Sequence, residues 1–204
     1  MTYSDFSLDM ARKSLGLTIA SEPLFEQVEP VGVTPWLQEA IAKGLQLALI
    51  SEKARSELIV VPVLLTSREL SQNAFSIYSG QRLDADAGKG LTGECDFILA
   101  KSPPLPVLQA PLVMLVEAKK NDIENGLGQC AAQMMGARLF NQQEGNGITT
   151  IYGCVTTGEV WQFLRLVDNI LSIDRGRYYL DRLDNVLGVL RVIVESYGLN
   201  AVSG

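Results

Sequence analysis

The run Leu112-Val113-Met114-Leu115-Val116 is apolar at every position and then ends in Glu117-Ala118-Lys119. A strand with one wet face alternates apolar and polar residues, whereas an unbroken apolar strand is covered on both sides. A strand so covered is of the kind found inside α/β folds, the class expected for this chain. Side chains alternate along a strand, which sets Glu117 and Lys119 on one face and Val116 and Ala118 on the other. Charged groups at the end of so apolar a strand are costly unless paired, hydrated or metal-bound. A second carboxylate, Asp96, lies in another hydrophobic segment, Gly93-Glu94-Cys95-Asp96-Phe97-Ile98-Leu99. Two carboxylates and a lysine around one point suit a divalent metal ion and phosphate chemistry.

The absence of histidine narrows the chemistry further. It removes Ser-His-Asp and Cys-His catalysis and the usual zinc hydrolases. Hydrolysis must then use carboxylates, lysine and an oxygen-seeking metal, Mg²⁺ or Mn²⁺. The cysteines Cys95, Cys130 and Cys154 are odd in number, far apart and each in apolar surroundings, as expected of buried free thiols. A net charge of −6 is not the footprint of a protein that coats nucleic acid, although it leaves room for a local basic cleft. Arg175, Arg177 and Arg182 form the densest basic group and read as solvated surface. The longest apolar runs, 58–65 and 110–116, are far too short to cross a bilayer. Residues 1–6 lack the basic start and apolar block of a signal peptide, so a cytoplasmic location is expected and no membrane partner.

With 204 residues, the chain fits one domain. A short helix is expected over 7–15, then a Pro- and Glu-containing connector. Thr34-Pro35 is a helix start, with Thr at the N-cap and Pro at N1, followed by Leu37, Ile41, Leu45 and Ala48 at helical spacing. Residues 51–70 satisfy two descriptions. Leu58-Ile59-Val60-Val61 is β-branched like a strand, yet Pro62 suits neither a central strand nor a straight helix. Strands are expected over 75–79, 91–100 and 112–119, with 84–90 a loop whose Gly-Lys pair lacks phosphate-loop spacing. Asn121 and Glu124 resemble a capping box opening a helix to about residue 141. Residues 149–156 and 160–166 read as a hairpin, and an amphipathic helix with a stripe from Leu183 to Tyr197 ends at Gly198.

The order helix, strand, strand with Asp96, strand with Glu117-x-Lys119, helix, strand resembles the PD-(D/E)xK nuclease superfamily, over roughly residues 51–166. It is similar to uncharacterised bacterial proteins of that fold and to the N-terminal nuclease domain of type I restriction subunits. The resemblance implies a restriction-endonuclease-like αβββαβ core, with a mixed central sheet flanked by helices and helical additions at both ends. Residues 1–50 would form the N-terminal helical extension and 51–204 the nuclease-like domain. It also favours a kinked helix over 51–70, because such nucleases often begin with a glutamate-bearing helix leading into Ile-x-x-Pro-x-Leu. Glu52 is the first choice for that glutamate and Glu57 the second. A glutamine on the helix after the motif is common in the family; Gln129 is preferred, with Gln133 one turn later. One departure is Cys95, where the motif usually has proline.

What the resemblance implies is a Mg²⁺- or Mn²⁺-dependent endonuclease acting on DNA. Asp96, Glu117 and the backbone carbonyl of Ala118 would hold the metal, Lys119 would act on the attacking water or the transition state, and Glu52 would complete the outer shell. Global acidity supports a rival: a catalytically inactive nuclease-fold protein serving as a binding or regulatory subunit, or one that needs a partner subunit. The terminal stripe, surplus to the helices already assigned to cover the sheet, leads us to expect a homodimer.

Overall fold

The computed structural model describes residues 1–198. After a turn of 3-10 helix at Tyr3–Asp5, helix α1 (Leu8–Ser14) leads into strand β1 (Thr18–Glu22) and helix α2 (Pro35–Gly44). Helices α3 (Glu52–Arg55) and α4 (Val61–Leu70) are joined by a π-helical turn, Ser56–Val60. Strands β2 (Ser76–Asp86), β3 (Leu91–Ala100) and β4 (Leu112–Ala118) precede the long helix α5 (Ile123–Gln143). Strands β5 (Thr150–Thr156), β6 (Val160–Val167), β7 (Ile170–Asp174) and β8 (Tyr178–Tyr179) follow, and helix α6 (Leu183–Glu195) ends the described chain.

The strands make one mixed eight-stranded sheet, in the order β1-β7-β6-β5-β4-β3-β2 with β8 beside β6. Strands β2, β3 and β4 form an antiparallel meander. Helix α5 then carries the chain back so that β5 runs parallel to β4, a pairing that needs a crossover. The expected mixed sheet flanked by helices is what the chain forms. One face packs on α2, α4 and α6 through Leu37, Val63, Leu64, Leu187 and Leu190. The other packs on the N-terminal turn and α5 through Tyr3, Phe6, Cys130, Ala131 and Met134. All three cysteines are free and buried. No helix among the described residues is long and apolar enough to cross a membrane.

Several local expectations need correcting. Residues 1–50 supply a strand as well as helices: β1 pairs in parallel with β7, and Tyr3 and Phe6 are buried in the core. Residues 84–86 are not loop, because pairing with β3 carries β2 to Asp86 across a bulge. Helix α5 is capped by Asp122 rather than Asn121, its carboxylate accepting from the Asn125 N–H at 3.3 Å. The argument for a dimer also loses its premise. The stripe Leu183, Val186, Leu187, Leu190, Ile193 and Val194 is buried against the sheet of its own chain. Tyr197 closes that face, its hydroxyl reaching the Val113 and Thr150 carbonyls at 2.9 and 2.8 Å.

The segment from Ser51 to Leu70 is helical throughout, and Pro62 explains its shape. Proline has no N–H, and its ring collides with the carbonyl four residues back, here Leu58. The helix answers by widening: the Val61 N–H reaches back five residues to the Ser56 carbonyl. The Leu58 carbonyl then lies against α2 at Gly44, where a Cβ would stand only 2.7 Å from it. Both partners at that contact are backbone, so neither moves cheaply. Gly44→Ala should therefore lower stability by about 1–3 kcal/mol despite alanine's better helix propensity. A thermal melt equal to that of the wild type would show the contact to be slack.

Candidate active site

The site forms where β3 and β4 part company. Their ladder ends at the pair Phe97–Val116. Two residues further along β4, the Ala118 N–H is taken by the side chain of Asp96, the neighbour of Phe97, with Oδ2 accepting at 2.7 Å. The next amide, Lys119 N–H, points the other way to the Thr156 carbonyl of β5 at 2.8 Å. A carboxylate thus replaces a ladder carbonyl, and the strands splay around it. Alternation in β3 slips at the same point: Cys95 and Ile98 pack on the α5 side, and Phe97 on the other. Because a strand residue's N–H and C=O leave on the same side, the Ala118 carbonyl is also directed toward β3.

Glu117 and Lys119 behave as alternation requires. They share the α5 face and meet there, Lys119 Nζ donating to Glu117 Oε1 at 2.7 Å. Helix α5 serves both. Lys119 Nζ also donates to Gln129 Oε1 at 3.0 Å, and Gln133 Nε2 donates to Glu117 Oε2 at 2.7 Å. The match follows from geometry: four residues of helix rise about 6 Å and two residues of strand about 7 Å, so Gln129 and Gln133 fall beside Lys119 and Glu117. The helix comes this close because residue 126 is glycine, whose missing Cβ would meet Val155 and stand 3.1 Å from Lys119 Cγ. At the other end, Asn141 ties α5 to β4 by two 2.7 Å hydrogen bonds with the Leu112 backbone.

The structure therefore gathers Asp96, Glu117, Ala118, Lys119 and Gln129 in one connected group, and Gln133 is the partner of the carboxylate. Glu52 stands apart on the exposed first turn of α3. It lines a cleft of about 470 Å³ with Ser4, Lys119, Lys120, Asn121 and Gln129. On its other side it lines a second cleft, of about 500 Å³, with Glu57, Glu94 and Asp96. Glu57 borders only that second cleft and pairs at the surface with Lys53 at 3.7 Å. Of the three arginines noted above, Arg177 alone lines a cleft next to this group. Arg175 reaches the Ser21 carbonyl and Arg182 pairs with Asp184.

Electrostatically the group is strained in one direction. Glu117 is only 2% exposed, and burial, with the Asp96 charge adding to it, pushes its carboxyl up to about 7 despite help from Lys119 and Gln133. Burial likewise raises Asp96 above the usual carboxylate range, against the pull of the Ala118 N–H and Lys119. Burial works against the Lys119 charge, but Glu117 outweighs it and holds the ammonium above its ordinary value. Two neighbouring acids that both resist ionisation are relieved by added positive charge.

The donor types suit a hard cation, since two carboxylates and a backbone carbonyl are oxygen ligands of the kind Mg²⁺ and Mn²⁺ prefer. Asp96 lines the second cleft, and Glu117 lies behind it with both oxygens paired. Among the described residues no three Asp, Glu, Cys or His side chains converge into a metal cage. An ion held here would keep several waters, as Mg²⁺ ordinarily does. Within the core, Gln133 Oε1 is buried without a hydrogen-bond partner beside Glu117. Comparison with protein-family models and with curated proteins gives no match for this chain.

Proposed function

We propose that the chain is a metal-dependent nuclease of the PD-(D/E)xK type, with a restriction-endonuclease-like core, hydrolysing phosphodiester bonds in DNA. The observation that carries this reading is the linked group at the splayed ends of β3 and β4: Asp96 on the Ala118 N–H, and Lys119 on Glu117. The run α3–α4, β2, β3, β4, α5, β5 has the αβββαβ order of that superfamily, which supports it further. Asp96, Glu117 and the Ala118 carbonyl would hold a Mg²⁺ or Mn²⁺ ion, whose chemistry would be to acidify water and offset charge on the scissile phosphate. Lys119, kept charged by Glu117 and steered by Gln129, offers its N–H groups to the attacking water or to charge building on the phosphate oxygens. Gln133 fixes the Glu117 rotamer from the core side. Glu52, at the junction of the two clefts, orients waters at the mouth of the site.

The test is cleavage of supercoiled, linear and single-stranded DNA by the purified protein with Mg²⁺ or Mn²⁺. Cleavage should be lost on Asp96→Asn, and Lys119→Ala should lower kcat by about 10²–10³ while leaving metal affinity in place. Equal cleavage by all variants would mean a contaminant. The second reading, a binding or regulatory protein without turnover, draws on the fact that both Glu117 oxygens already have partners. It would prevail if calorimetry detected no Mg²⁺ uptake and no DNA were cut.

A further inference from the structure

The cleft at Lys119 does not end there. Lys120 and Asn121 also line a neighbouring cleft of about 220 Å³, whose walls include Arg55, Glu159, Val160 and Arg177. The two form one groove leading from the site across the start of α5 to the β6–β8 edge. Its cations differ in how firmly they are held. Lys120 is exposed and has no ion-pair partner among the described residues. Arg55 Nη1 contacts Glu159 and the Thr157 carbonyl, each at 3.0 Å, while its Nε is buried with no partner. Arg177 pairs with Glu124. The Arg177–Glu124 pair lies at the surface and is weak enough to yield to a phosphate, while Arg55, only 14% exposed, is held more firmly beside the exposed Glu159.

An aromatic residue, Tyr179, lies beside the groove's Val160 wall without itself lining the cleft. Tyr179 lies opposite Val160 in the β8–β6 ladder, and residues directly opposite share a face. It follows Arg177, which precedes the strand, by two residues, about 7 Å along an extended chain. Tyr178 takes the other side, packed edge-on against Phe163 at 5.4 Å. Tyr179 is 50% exposed. Charge across the site is uneven. The cleft on the Asp96 side is lined by Glu52, Glu57, Glu94 and Asp96, with only Lys53 to offset them. In the groove, Lys119, Lys120, Arg55 and Arg177 balance Glu52, Asp122, Glu124 and Glu159. A duplex lying over the site would bring a second phosphate backbone toward the carboxylates of the Asp96 side, whereas a single strand needs only the groove, where cations offset the carboxylates. Cations tracking a backbone beside an exposed ring are the equipment of single-strand binders.

We propose that this groove is the path of a single-stranded polynucleotide, DNA or RNA, with phosphates on Lys120, Arg55 and Arg177 and a base stacked on Tyr179. The path gains its catalytic meaning from the nuclease reading above, but strand binding is measured without turnover. The experiment is fluorescence anisotropy in EDTA with labelled oligothymidylate, oligouridylate and a hairpin duplex. The two strands separate DNA from RNA preference, and the duplex is the competing substrate. Strands should bind at least about tenfold tighter than duplex. Tyr179→Ala should weaken strand binding about tenfold with its melting temperature unchanged, while Tyr179→Phe should bind like the wild type. Lys120→Ala should flatten the log–log salt dependence by about 0.7.

Duplex binding as tight as strand binding, no binding at all, or full affinity in Tyr179→Ala overturns the path. Cleavage of the same oligonucleotides in Mg²⁺ keeps the two readings apart. Tyr179-dependent strand binding without cleavage upholds the path and removes the nuclease. Duplex cleavage indifferent to Tyr179 does the reverse.

Discussion

Glu117→Gln should make the metal-free protein more stable at pH 8 while abolishing DNA cleavage. The folded chain raises the Glu117 carboxyl from 4.5 to about 7, so the native state holds its proton more tightly than the unfolded chain does. Between those values the folded state carries the extra proton, and stability falls as pH rises. Below about 4.5 both states are protonated and nothing is lost; above about 7 the full cost of the buried charge is present. At about 1.4 kcal/mol per pH unit, the difference at pH 8 approaches about 3 kcal/mol.

Glutamine keeps the shape of the neutral acid and has no charge to bury. Gln133, whose Oε1 has no partner, can turn its amide to receive the new NH₂ group. Lys119 keeps an acceptor oxygen but loses its counter-charge, and it is not sealed in, its side chain being 17% exposed, so the net gain should be about 1–3 kcal/mol. For a chain of this size that is a rise of roughly 3–10 °C in melting temperature at pH 8, shrinking to nothing near pH 4.5. Mg²⁺ should stabilise the wild type at pH 8 and not the variant, because only the wild type offers the second carboxylate. Identical melting curves from pH 4.5 to 8 would mean that Glu117 carries no such strain. A residue whose removal stabilises the fold and ends activity is retained for chemistry.

How much of this was legible beforehand depended on how local the cause is. The strand from Leu112 and the faces of Glu117 and Lys119 follow from composition and alternation alone, and β3 was found over its full length. Strand β1 was missed because its signal is elsewhere. Its residues are mostly half-exposed, and it is a strand because β7 lies beside it some 150 positions later. The end of β2 was missed for the same reason, since a bulged pairing with β3 decides it. At the start of α5, Asn121 and Asp122 are both good caps, and local rules cannot separate them.

The site divides in the same way. Asp96, Glu117 and Lys119 stand out by spacing, but the phase of α5 against β4 decides that Gln133 rather than Gln129 holds the carboxylate. The groove through Lys120, Arg55 and Arg177 joins three distant segments, and a net charge of −6 conceals it. Arg177 looked like one of a surface cluster. Only the fold separates it from Arg175 and Arg182, by bringing it to Glu124 in the first turn of α5.

The chain's terminal helix supplies the other large effect. Leu190→Glu should unfold the protein, not dissociate it. Leu190 is 0% exposed and sits in the middle of α6, in the core cluster with Leu37, Val63 and Leu187. Removing a buried leucine side chain costs about 2–5 kcal/mol by itself. A carboxylate in its place has no basic partner in that cluster, which adds a further desolvation cost of several kcal/mol. The total reaches or exceeds the stability of an ordinary domain, about 5–15 kcal/mol. Circular dichroism should show a chain unfolded or melting far below the wild type, and light scattering should give the wild type a monomeric mass. A folded, monomeric Leu190→Glu variant derived from a dimeric wild type would restore α6 as an interface. It would require the helix to leave the sheet, and the Tyr197 hydroxyl to give up the Val113 and Thr150 carbonyls that tie the end of the chain to β4 and β5.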